Sequence, residues 1–384
     1  MSLKIGVLAD LHIGRGGNKP YGVKQYLSTL REAIAGMERE GVEICVFAGD
    51  TLDKSSSFNS FVIFELQRIF SNSKMTFIIL EGNDSHDHDN EYREYPTILP
   101  LAAKNVSVIG FPECISYGDG EDRVNLIFIP WLKRDNNRAA VMENFKKDIL
   151  KHLEKNPYPS FCFFHAAIEG AKFYGEESKD FTLSPAELLE LNCEVYAGGH
   201  YHGRQQIADK IWYVGAMERN TFGERQNPCG WMLIEQGKEP RFIELDNAAN
   251  WMQIPFDTDS SYEDLIYPLG ESDTKISGHV KLTFTARREN MPDMARVEAA
   301  YRTAGAQTFS YDVKYLDAES VRVEGMTSEK GDMELFTGWA GAAPENDPDG
   351  KLAEILAFEM REGYPVTVAG TDKAHFDKFM RGGE

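Results

Sequence analysis

Residues 4–12 of this chain, KIGVLADLH, place an acid and a histidine directly after a short, mostly apolar run. Lys4 to Ala9 has the length and character of a buried β-strand. Asp10 and His12 follow at the point where that strand ends. The stretch therefore predicts a buried strand that carries two polar side chains to one edge of a sheet.

Two similar units follow, and helical patterns separate them. Apolar residues at helical spacing predict helices, and apolar runs predict strands. The predicted helices are Tyr21 to Glu40 and Phe61 to Ile69, and the predicted strands are Val42 to Ala48 and Met75 to Leu80. Gly49-Asp50 follows the first of these strands and Gly82-Asn83 follows the second. Alternating strands and helices favour an α/β sheet with parallel strands, whose carboxyl ends meet at one edge.

The same pattern recurs further along the chain. His165 follows the apolar run Phe161 to Phe164, and Gly199-His200-Tyr201-His202 follows Glu194 to Ala197. Two imidazoles two residues apart on an extended loop face the same side. Each unit alone also fits a capped turn, a solvated loop or a structural histidine. Five units in this order favour one shared cluster of side chains.

The residue types of this cluster suit divalent metal ions. Carboxylate, imidazole and amide oxygen together are ligands for hard or borderline cations. Two such ions about 3.5–4 Å apart can bind a phosphate and activate water for attack. One carboxylate has to bridge them, and Asp50 is the natural candidate because its strand is central in the order.

Charge and composition exclude several other classes of protein. The 384 residues carry a formal net charge of −20, which argues against a basic coat for nucleic acid but not against a metal-dependent nuclease. No apolar stretch approaches the length of a membrane span, and the first residues lack the apolar segment of a signal peptide. Five widely spaced cysteines without a CxxC pair favour reduced thiols, so we expect a cytoplasmic location.

The second part of the chain is organised differently. A polar stretch at 247–267 predicts a linker, and residues 278–324 then follow the order strand, helix, strand, strand. Two possible helices, around Glu334 to Ala340 and Lys351 to Arg361, lie in the tail. The predicted domains are an α/β domain over 1–250, a small α+β domain over 275–328 and a C-terminal segment over 329–384.

The ordered set of polar segments resembles the calcineurin-like metallophosphoesterase superfamily. The set consists of Asp10-X-His12, Gly49-Asp50, Gly82-Asn83, His165 and Gly199-His200-X-His202. Within the superfamily it is most similar to the SbcD-type nucleases and their archaeal and eukaryotic counterpart, the meiotic-recombination nuclease. Ile129-Pro130-Trp131 and residues 213–224, YVGAMERNTFGE, also resemble SbcD segments, and the module at 278–324 is similar to the DNA-capping domain of that family.

This resemblance implies a fold, a metal centre and partners. The implied fold is a four-layer αββα metallophosphoesterase sandwich followed by a small α+β capping domain. The implied ions are two manganese ions, although the ligand chemistry alone also allows iron or zinc. One ion would be held by Asp10, His12, Asp50 and His202, and the other by Asp50, Asn83, His165 and His200. The implied partners are DNA, an SMC-type ATPase similar to SbcC that docks on the C-terminal segment, and a second copy of the chain.

The third motif departs from the family pattern. The family has a histidine directly after the asparagine and then an acid, whereas residues 83–88 here are NDSHDH, as though that histidine were deleted. Asp84 stands in the vacated position, but a carboxylate beside two cations is ionised and cannot donate a proton. We therefore predict that His86, with His88 as its substitute, is the general acid; a solvated acidic loop is the alternative.

Four other residues flank the predicted centre. Asp53 stands where many SbcD relatives carry a second active-site histidine. Arg15, Lys19 and Arg204 flank the metal motifs, and each fits either a phosphate contact or an ordinary surface charge.

The sequence as a whole predicts a manganese-dependent DNA nuclease, exonuclease or endonuclease, that serves DNA repair or processing. Two alternatives remain at this stage. The first is a phosphoesterase for small phosphate esters or nucleotides, in which the α+β module gates a pocket. The second is a metal-binding DNA-repair subunit with weak catalysis, which the altered third motif allows.

Overall fold

The computed structural model describes residues 3–15, 20–54, 60–87, 98, 101–132, 138–172, 182–270 and 276–316. The chain divides into two compact units, Met1–Phe284 with Pro292–Val313, and Thr285–Met291 with Lys314–Glu384. All predicted metal ligands belong to the first unit. Among the described residues, no helix is both long enough and apolar enough to cross a membrane.

The helices and strands of the described residues follow the apolar patterns of the sequence, with small shifts at their ends. The helices are α1 Pro20–Glu40, α2 Ser60–Asn72, α3 Arg138–Lys155, α4 Pro185–Leu189, α5 Tyr262–Ile266 and α6 Met294–Ala304. The strands are β1 Lys4–Leu8, β2 Ile44–Phe47, β3 Thr76–Leu80, β4 Val106–Ile109, β5 Glu113–Tyr117, β6 Val124–Ile129, β7 Ser160–His165, β8 Ala167–Ile168, β9 Thr182–Leu183, β10 Val195–Gly199, β11 Gln205–Ala208, β12 Ile211–Tyr213, β13 Gly230–Glu235, β14 Arg241–Glu244, β15 Trp251–Asp259, β16 Gly278–Ala286 and β17 Ala306–Tyr315.

Two six-stranded mixed sheets form the centre of the first unit. The first sheet has the order β14-β13-β1-β2-β3-β4, and β1 to β4 run parallel. The second sheet has the order β11-β12-β10-β7-β6-β5, and β6, β7, β10 and β12 run parallel. In both sheets the parallel strands therefore present their carboxyl ends along one edge.

Three apolar cores separate four layers. Alternate residues of β2 point to opposite faces: Cys45 and Phe47 pack in the core that α1 and α2 cover, whereas Ile44 and Val46 pack in the core between the two sheets. The outer face of the second sheet packs against Ile149 of α3 and Leu188 of α4. The predicted four-layer αββα sandwich is confirmed.

A three-stranded sheet, β15-β16-β17, follows the sandwich. The burial of β16 alternates along its whole length, which places Val280, Leu282 and Phe284 on one buried face. The interpretation of 247–267 as a linker is wrong, because β15 and α5 occupy most of that stretch. Pro255 argues against a strand in the sequence, because proline cannot donate a hydrogen bond to a neighbouring strand. However, β15 lies at the edge of its sheet, where proline is tolerated. The predicted strand at 320–324 and both tail helices lie outside the described residues.

His279 in β16 predicts a pH-dependent loss of stability. Burial lowers its pKa to about 4 from the ordinary 6.5, and its ring lies 4.1 Å from the ring of Trp251. The unfolded chain therefore binds the proton more tightly than the folded chain. The contribution of neutral His279 to the free energy of unfolding is fully present above pH 6.5 and is lost as the pH falls toward 4. Between pH 7 and pH 5 we expect the thermal midpoint of the wild type to fall further than that of His279→Gln. The partly exposed ring contributes roughly 1 kcal/mol, or about 2–4 °C. If scanning fluorimetry shows that the thermal midpoints of the wild type and of His279→Gln fall equally between pH 7 and pH 5, His279 does not contribute this pH dependence.

Candidate metal centre

The predicted ligands lie at the carboxyl ends of five parallel strands. Asp10 and His12 follow β1, Asp50 follows β2 and Asn83 follows β3 in the first sheet. His165 is the last residue of β7, and β10 ends just before the segment His200 to His202. Contacts join the two sets: the His200 backbone N–H donates to Asp10 Oδ1 at 2.9 Å, and His165 Nε2 lies 3.0 Å from Asn83 Oδ1. The structure thus gathers all seven predicted metal ligands at one end of the sandwich.

Two glycines of the motifs are required by close packing at this end. A Cβ atom on Gly49, which has φ +86°, would lie 2.1 Å from Nδ1 of His165. A Cβ atom on Gly82 would lie 2.1 Å from the backbone nitrogen of Asp50. No side chain fits at either position, which explains why glycine precedes both Asp50 and Asn83.

Four of the predicted ligands have a backbone that glycine normally adopts. The φ angles are 50° at Asp10, 45° at His12, 50° at Asp50 and 112° at His200. Such conformations cost roughly 1–3 kcal/mol each and persist only where the surrounding structure holds them. Here the two neighbouring loops hold each other, because the His12 N–H donates to the Asp50 carbonyl at 2.9 Å. Backbone strain of this kind clusters at functional sites.

The first group of ligand atoms comes from Asp10, His12 and His202, whose ligand atoms all lie within 4.8 Å of one another. The Nε2 atoms of His12 and His202 are 3.0 Å apart. Burial lowers the pKa of His12 well below its ordinary value, so its imidazole is neutral. Asp10 Oδ2 is buried and has no hydrogen-bond partner among the described residues. This donor set has the composition and the spacing of a divalent metal site.

The second group is built around His165, which is fully buried. Its Nδ1 lies 2.7 Å from the carbonyl oxygen of Ala48, and a carbonyl can only accept, so Nδ1 carries the proton. Its Nε2 faces two oxygens, Asn83 Oδ1 at 3.0 Å and Asp50 Oδ1 at 3.3 Å. With Nδ1 bound to the Ala48 carbonyl, a metal ion can be held jointly by Nε2 and these two oxygens. Asp10, Asp50 and His165 also have ligand atoms within 4.8 Å of one another.

Asp50 lies between the two groups. Its Oδ1 faces His165, and its Oδ2 lies 3.8 Å from Nε2 of His12. The Asn83 backbone N–H donates to Asp50 Oδ1 at 2.7 Å. Asp50 is therefore a carboxylate with one oxygen directed to each group, as a bridging ligand requires.

His200 lies near the second group, but its ring is not among the clustered ligand atoms that the sequence led us to expect. Its ring centroid is 5.5 Å from that of His165 and 5.2 Å from that of Trp131. It belongs to none of the three groups of ligand atoms found among the described residues. Its role as a ligand stays a prediction.

The altered third motif forms a turn that brings His86 to the centre. The N–H groups of His86 and Asp87 both donate to the Asn83 carbonyl, at 2.9 and 3.2 Å. His86 Nε2 lies 3.7 Å from Asp50 Oδ2, its ring lies 4.6 Å from the ring of His12, and its Nδ1 contacts the carbonyl oxygen of Asp53. Asp84 and Ser85 thus lengthen the turn between Asn83 and the histidine.

The other two residues predicted for proton transfer are placed differently. Asp84 lies in the turn and is partly exposed. His88 lies outside the described residues. Of the two that the structure describes, His86 is the residue whose side chain lies beside the predicted ligands His12 and Asp50.

Asp87 supports the centre and was missed by sequence reasoning. It is fully buried and accepts hydrogen bonds from the backbone N–H groups of Thr51, Leu52 and Gly82 at 2.9–3.0 Å. Burial and the nearby Asp50 raise its pKa to about 6. This side chain joins the loop after β2 to the loop after β3. The acid that follows histidine in the family pattern was the available signal.

Glu224 orients His202 and was also missed. Its Oε1 lies 3.0 Å from His202 Nδ1, and its Oε2 accepts from the Asn220 N–H at 2.7 Å. Burial opposes protonation of His202, but the hydrogen bond to Glu224 raises its pKa to about 8. Because Nδ1 donates to a carboxylate, Nε2 points toward the first group, which is the usual arrangement behind a ligand histidine.

The basic residues that flank the motifs differ in their surroundings. Arg204 stacks over the ring of Phe242 at 4.3 Å. Arg15 donates from Nη1 to Asp53 Oδ1 at 2.8 Å, next to the centre. Lys19 lies outside the described residues.

These observations meet the requirements of two divalent ions. The donors are carboxylates, imidazoles and one amide oxygen, and Asp50 has one oxygen directed to each group. The buried Asp10 Oδ2 has no hydrogen-bond partner within the described part of the chain. The chain therefore carries a buried cluster that can hold two divalent metal ions.

Comparisons with known proteins find similar structures but no similar sequence. No protein-family model and no curated protein sequence matches the chain. A dimetal phosphatase from Danio rerio is 9% identical, with TM-score 0.41, over 64% of this chain and 99% of that one. A purple acid phosphatase from seeds of yellow lupin, Lupinus luteus, is 12% identical, with TM-score 0.40, over 64% and 52%. The nuclease MPE of Pseudomonas putida is 14% identical, with TM-score 0.24, over 47% and 79%.

Proposed function

We propose that this chain is a two-metal phosphodiesterase of the calcineurin-like superfamily and that it cleaves DNA as an SbcD-type nuclease. The observation that carries the proposal is the pair of acceptor groups that share Asp50. Two ions about 3.5–4 Å apart that share a carboxylate are used for displacement at phosphorus. The resemblance of Ile129-Pro130-Trp131, of residues 213–224 and of the module at 278–324 to SbcD segments favours the nuclease over other enzymes with such a centre.

Each ion has a proposed set of ligands. Asp10, His12, Asp50 and His202 would hold one ion, and Asp50, Asn83, His165 and His200 would hold the other. Manganese is the proposed metal because the family resemblance implies it; the ligand chemistry alone also allows iron or zinc. When bound, two such ions would neutralise the phosphate charge and lower the pKa of the attacking water.

The chain's own residues supply orientation and a proton. The Ala48 carbonyl and Glu224 hold the ligand nitrogens of His165 and His202 toward the centre. His86 is the proposed general acid: its Nδ1–H is held by the Asp53 carbonyl, and Asp50 lies 3.7 Å from its Nε2. In its charged form it can donate the Nε2 proton to the leaving 3′ oxygen.

The second alternative, a subunit with weak catalysis, rested on the missing histidine. His86 at the centre favours catalysis instead. A phosphoesterase for small esters would use the same ligands, so substrate tests must separate it from the nuclease.

The decisive experiment compares substrates on one preparation. Purified protein is treated with a chelator, resupplied with manganese, and assayed on plasmid, linear duplex and two nitrophenyl esters, bis(p-nitrophenyl) phosphate and p-nitrophenyl phosphate. We expect cleavage of DNA and of the diester only after manganese is returned. Turnover of the monoester without DNA cleavage would support the small-ester alternative, and metal-independent cleavage would overturn the two-metal site.

The proposal extends to partners. An SMC-type ATPase similar to SbcC would dock on the segment 329–384, and a second copy of the chain would form a homodimer. The docking residues suggested by the sequence, Leu335, Phe336, Trp339, Leu352, Ile355, Leu356, Phe358 and Met360, lie outside the described residues. A basic partner would also help a chain of net charge −20 to engage DNA. The proposed location is cytoplasmic, which suits the five free cysteines.

Removal of the residues after 328 tests the ATPase partner. We expect the shortened chain to keep manganese-dependent cleavage, because the predicted ligands all precede residue 203. We also expect it to lose co-purification with the ATPase, because an exposed apolar helix is a common docking element. Undiminished co-purification of the shortened chain would refute the docking site.

A further inference from the structure

Arg15 lies at the rim of the metal centre in a fixed position. It follows the ligand residue His12 in a turn, in which the Arg15 N–H donates to the His12 carbonyl at 3.1 Å. Its Nη1 donates to Asp53 Oδ1 at 2.8 Å. The Arg15 side chain is 39% exposed, whereas that of Asp53 is 5% exposed. A buried carboxylate therefore holds a half-exposed guanidinium beside the centre.

The guanidinium lies on the outer side of His12. The Nε2 atom of His12 faces Asp50 and His202, and its Nδ1 faces Asp53 Oδ1 at 4.0 Å. Arg15 contacts Asp53 from that second side. Asp53 Oδ1 thus joins the guanidinium to the Nδ1 side of His12, the side opposite its proposed ligand atom. A cation in this place is suited to a group that extends beyond the reacting phosphate.

The hydrogen-bond donors of arginine indicate that this substrate group is a second phosphate. A guanidinium presents five N–H donors in a planar fork, and the contact with Asp53 engages Nη1. The fork matches two oxygens of one phosphate, and such charge-assisted pairs are strong. On a chain of net charge −20, a fixed cation at the rim also offsets the repulsion of a polyanion.

We propose that Arg15 binds the phosphate next to the scissile one on a nucleic-acid strand. The inference rests on the proposed nuclease function and deepens it: the site prefers polynucleotides to esters with a single phosphate because one strand supplies both phosphates. Asp53 has the supporting role of holding the guanidinium in place.

The kinetic test uses Arg15→Gln and a matched control. Arg31 is 41% exposed and pairs with Glu65, which is 10% exposed, so Arg31→Gln breaks a similar ion pair on α1. The substrates are a single-stranded oligonucleotide and bis(p-nitrophenyl) phosphate, which has one phosphate. We expect kcat/KM of Arg15→Gln on the oligonucleotide to fall roughly 10–100-fold further than on the ester, the range for a lost hydrogen bond to a charged group. Arg31→Gln should match the wild type on both.

A binding measurement removes the dependence on catalysis. Fluorescence anisotropy follows a labelled oligonucleotide and the full, chelator-treated chain at several salt concentrations. Loss of one phosphate contact should weaken binding and reduce the slope of log Kd against log salt by about 0.7 for a single strand. Arg15→Lys should restore the slope but not the full affinity, because lysine keeps the charge and loses the fork.

The possible results distinguish a failure of the phosphate contact at Arg15 from a failure of the nuclease function. If Arg15→Gln loses equal activity on both substrates, Arg15 acts through Asp53 on the centre and the inference is wrong. It is also wrong if the variant cleaves and binds the oligonucleotide like the wild type. If the wild type hydrolyses the ester but neither binds nor cleaves the oligonucleotide, the nuclease function itself fails, and the inference fails with it.

Discussion

Asp50→Asn is expected to abolish phosphodiester hydrolysis at every manganese concentration. The change keeps the shape of the side chain but removes the charge that both ligand groups share. The loss should exceed the roughly 10–100-fold that removal of an outer hydrogen-bond partner causes at metal sites. Isothermal titration with manganese should show that tight binding of two ions is lost together with activity.

A matched variant shows whether the effect is specific. Glu218 is also a buried carboxylate, but it binds Gln25, Thr29 and the Ala249 N–H away from the ligand groups. Glu218→Gln should keep manganese binding and hydrolysis, and so should His152→Ala at the surface. If Asp50→Asn still cleaves DNA after chelation and return of manganese, the bridging role of Asp50 is refuted.

His86→Ala is expected to lower turnover of DNA by roughly 10²–10⁴-fold, the usual range for a lost general acid. The leaving 3′ oxygen of DNA is a strong base and needs a proton as its bond breaks. The p-nitrophenolate group of bis(p-nitrophenyl) phosphate is a weak base and needs little help. The loss should therefore be much smaller on the nitrophenyl ester, and this difference identifies a proton donor.

Other variants of the same loop are the controls. Asp84→Ala should have little effect, because the structure places His86 rather than the partly exposed Asp84 beside Asp50. Manganese affinity of His86→Ala should stay near the wild-type value, and a large fall would instead make His86 a ligand, since it shares a group with His12 and Asp50. If both His86→Ala and His88→Ala cleave DNA at wild-type rates, the loop has no part in proton transfer.

Much of the fold was predictable because its signals are local. The helical spacing over Tyr21 to Glu40 predicted α1 to within one residue, and the apolar run at Val106 to Ile109 predicted β4 without error. The alternation of strands and helices then implied parallel strands. Parallel strands bring the motif residues of each sheet to one edge, and the packing of the two sheets then brings Asp10 and His200 together.

Elements with weak local patterns were missed. β15 combines polar residues with Pro255, and only its pairing with β16 makes it a strand. Likewise, the family pattern singles out Asp87 but does not show that it holds two loops together, and the pattern around Glu224 does not show that this acid orients a histidine. Their partners are distant in sequence, as the separation of 36 residues between Thr51 and Asp87 illustrates.

By itself the sequence determined the alternating strands and helices and the seven side chains that the structure gathers at one end of the sandwich, and the resemblance of these motifs to a known family implied the four layers. Apolar periodicity and the position of a residue after its strand are properties of short segments, so they can be recognised without coordinates. Only the tertiary structure decided the place of His86. Counting along the chain put Asp84 in the position of the histidine, but the turn from Asn83 to Asp87 takes up the two extra residues, and the contact with the Asp53 carbonyl, 33 residues away, brings His86 beside Asp50.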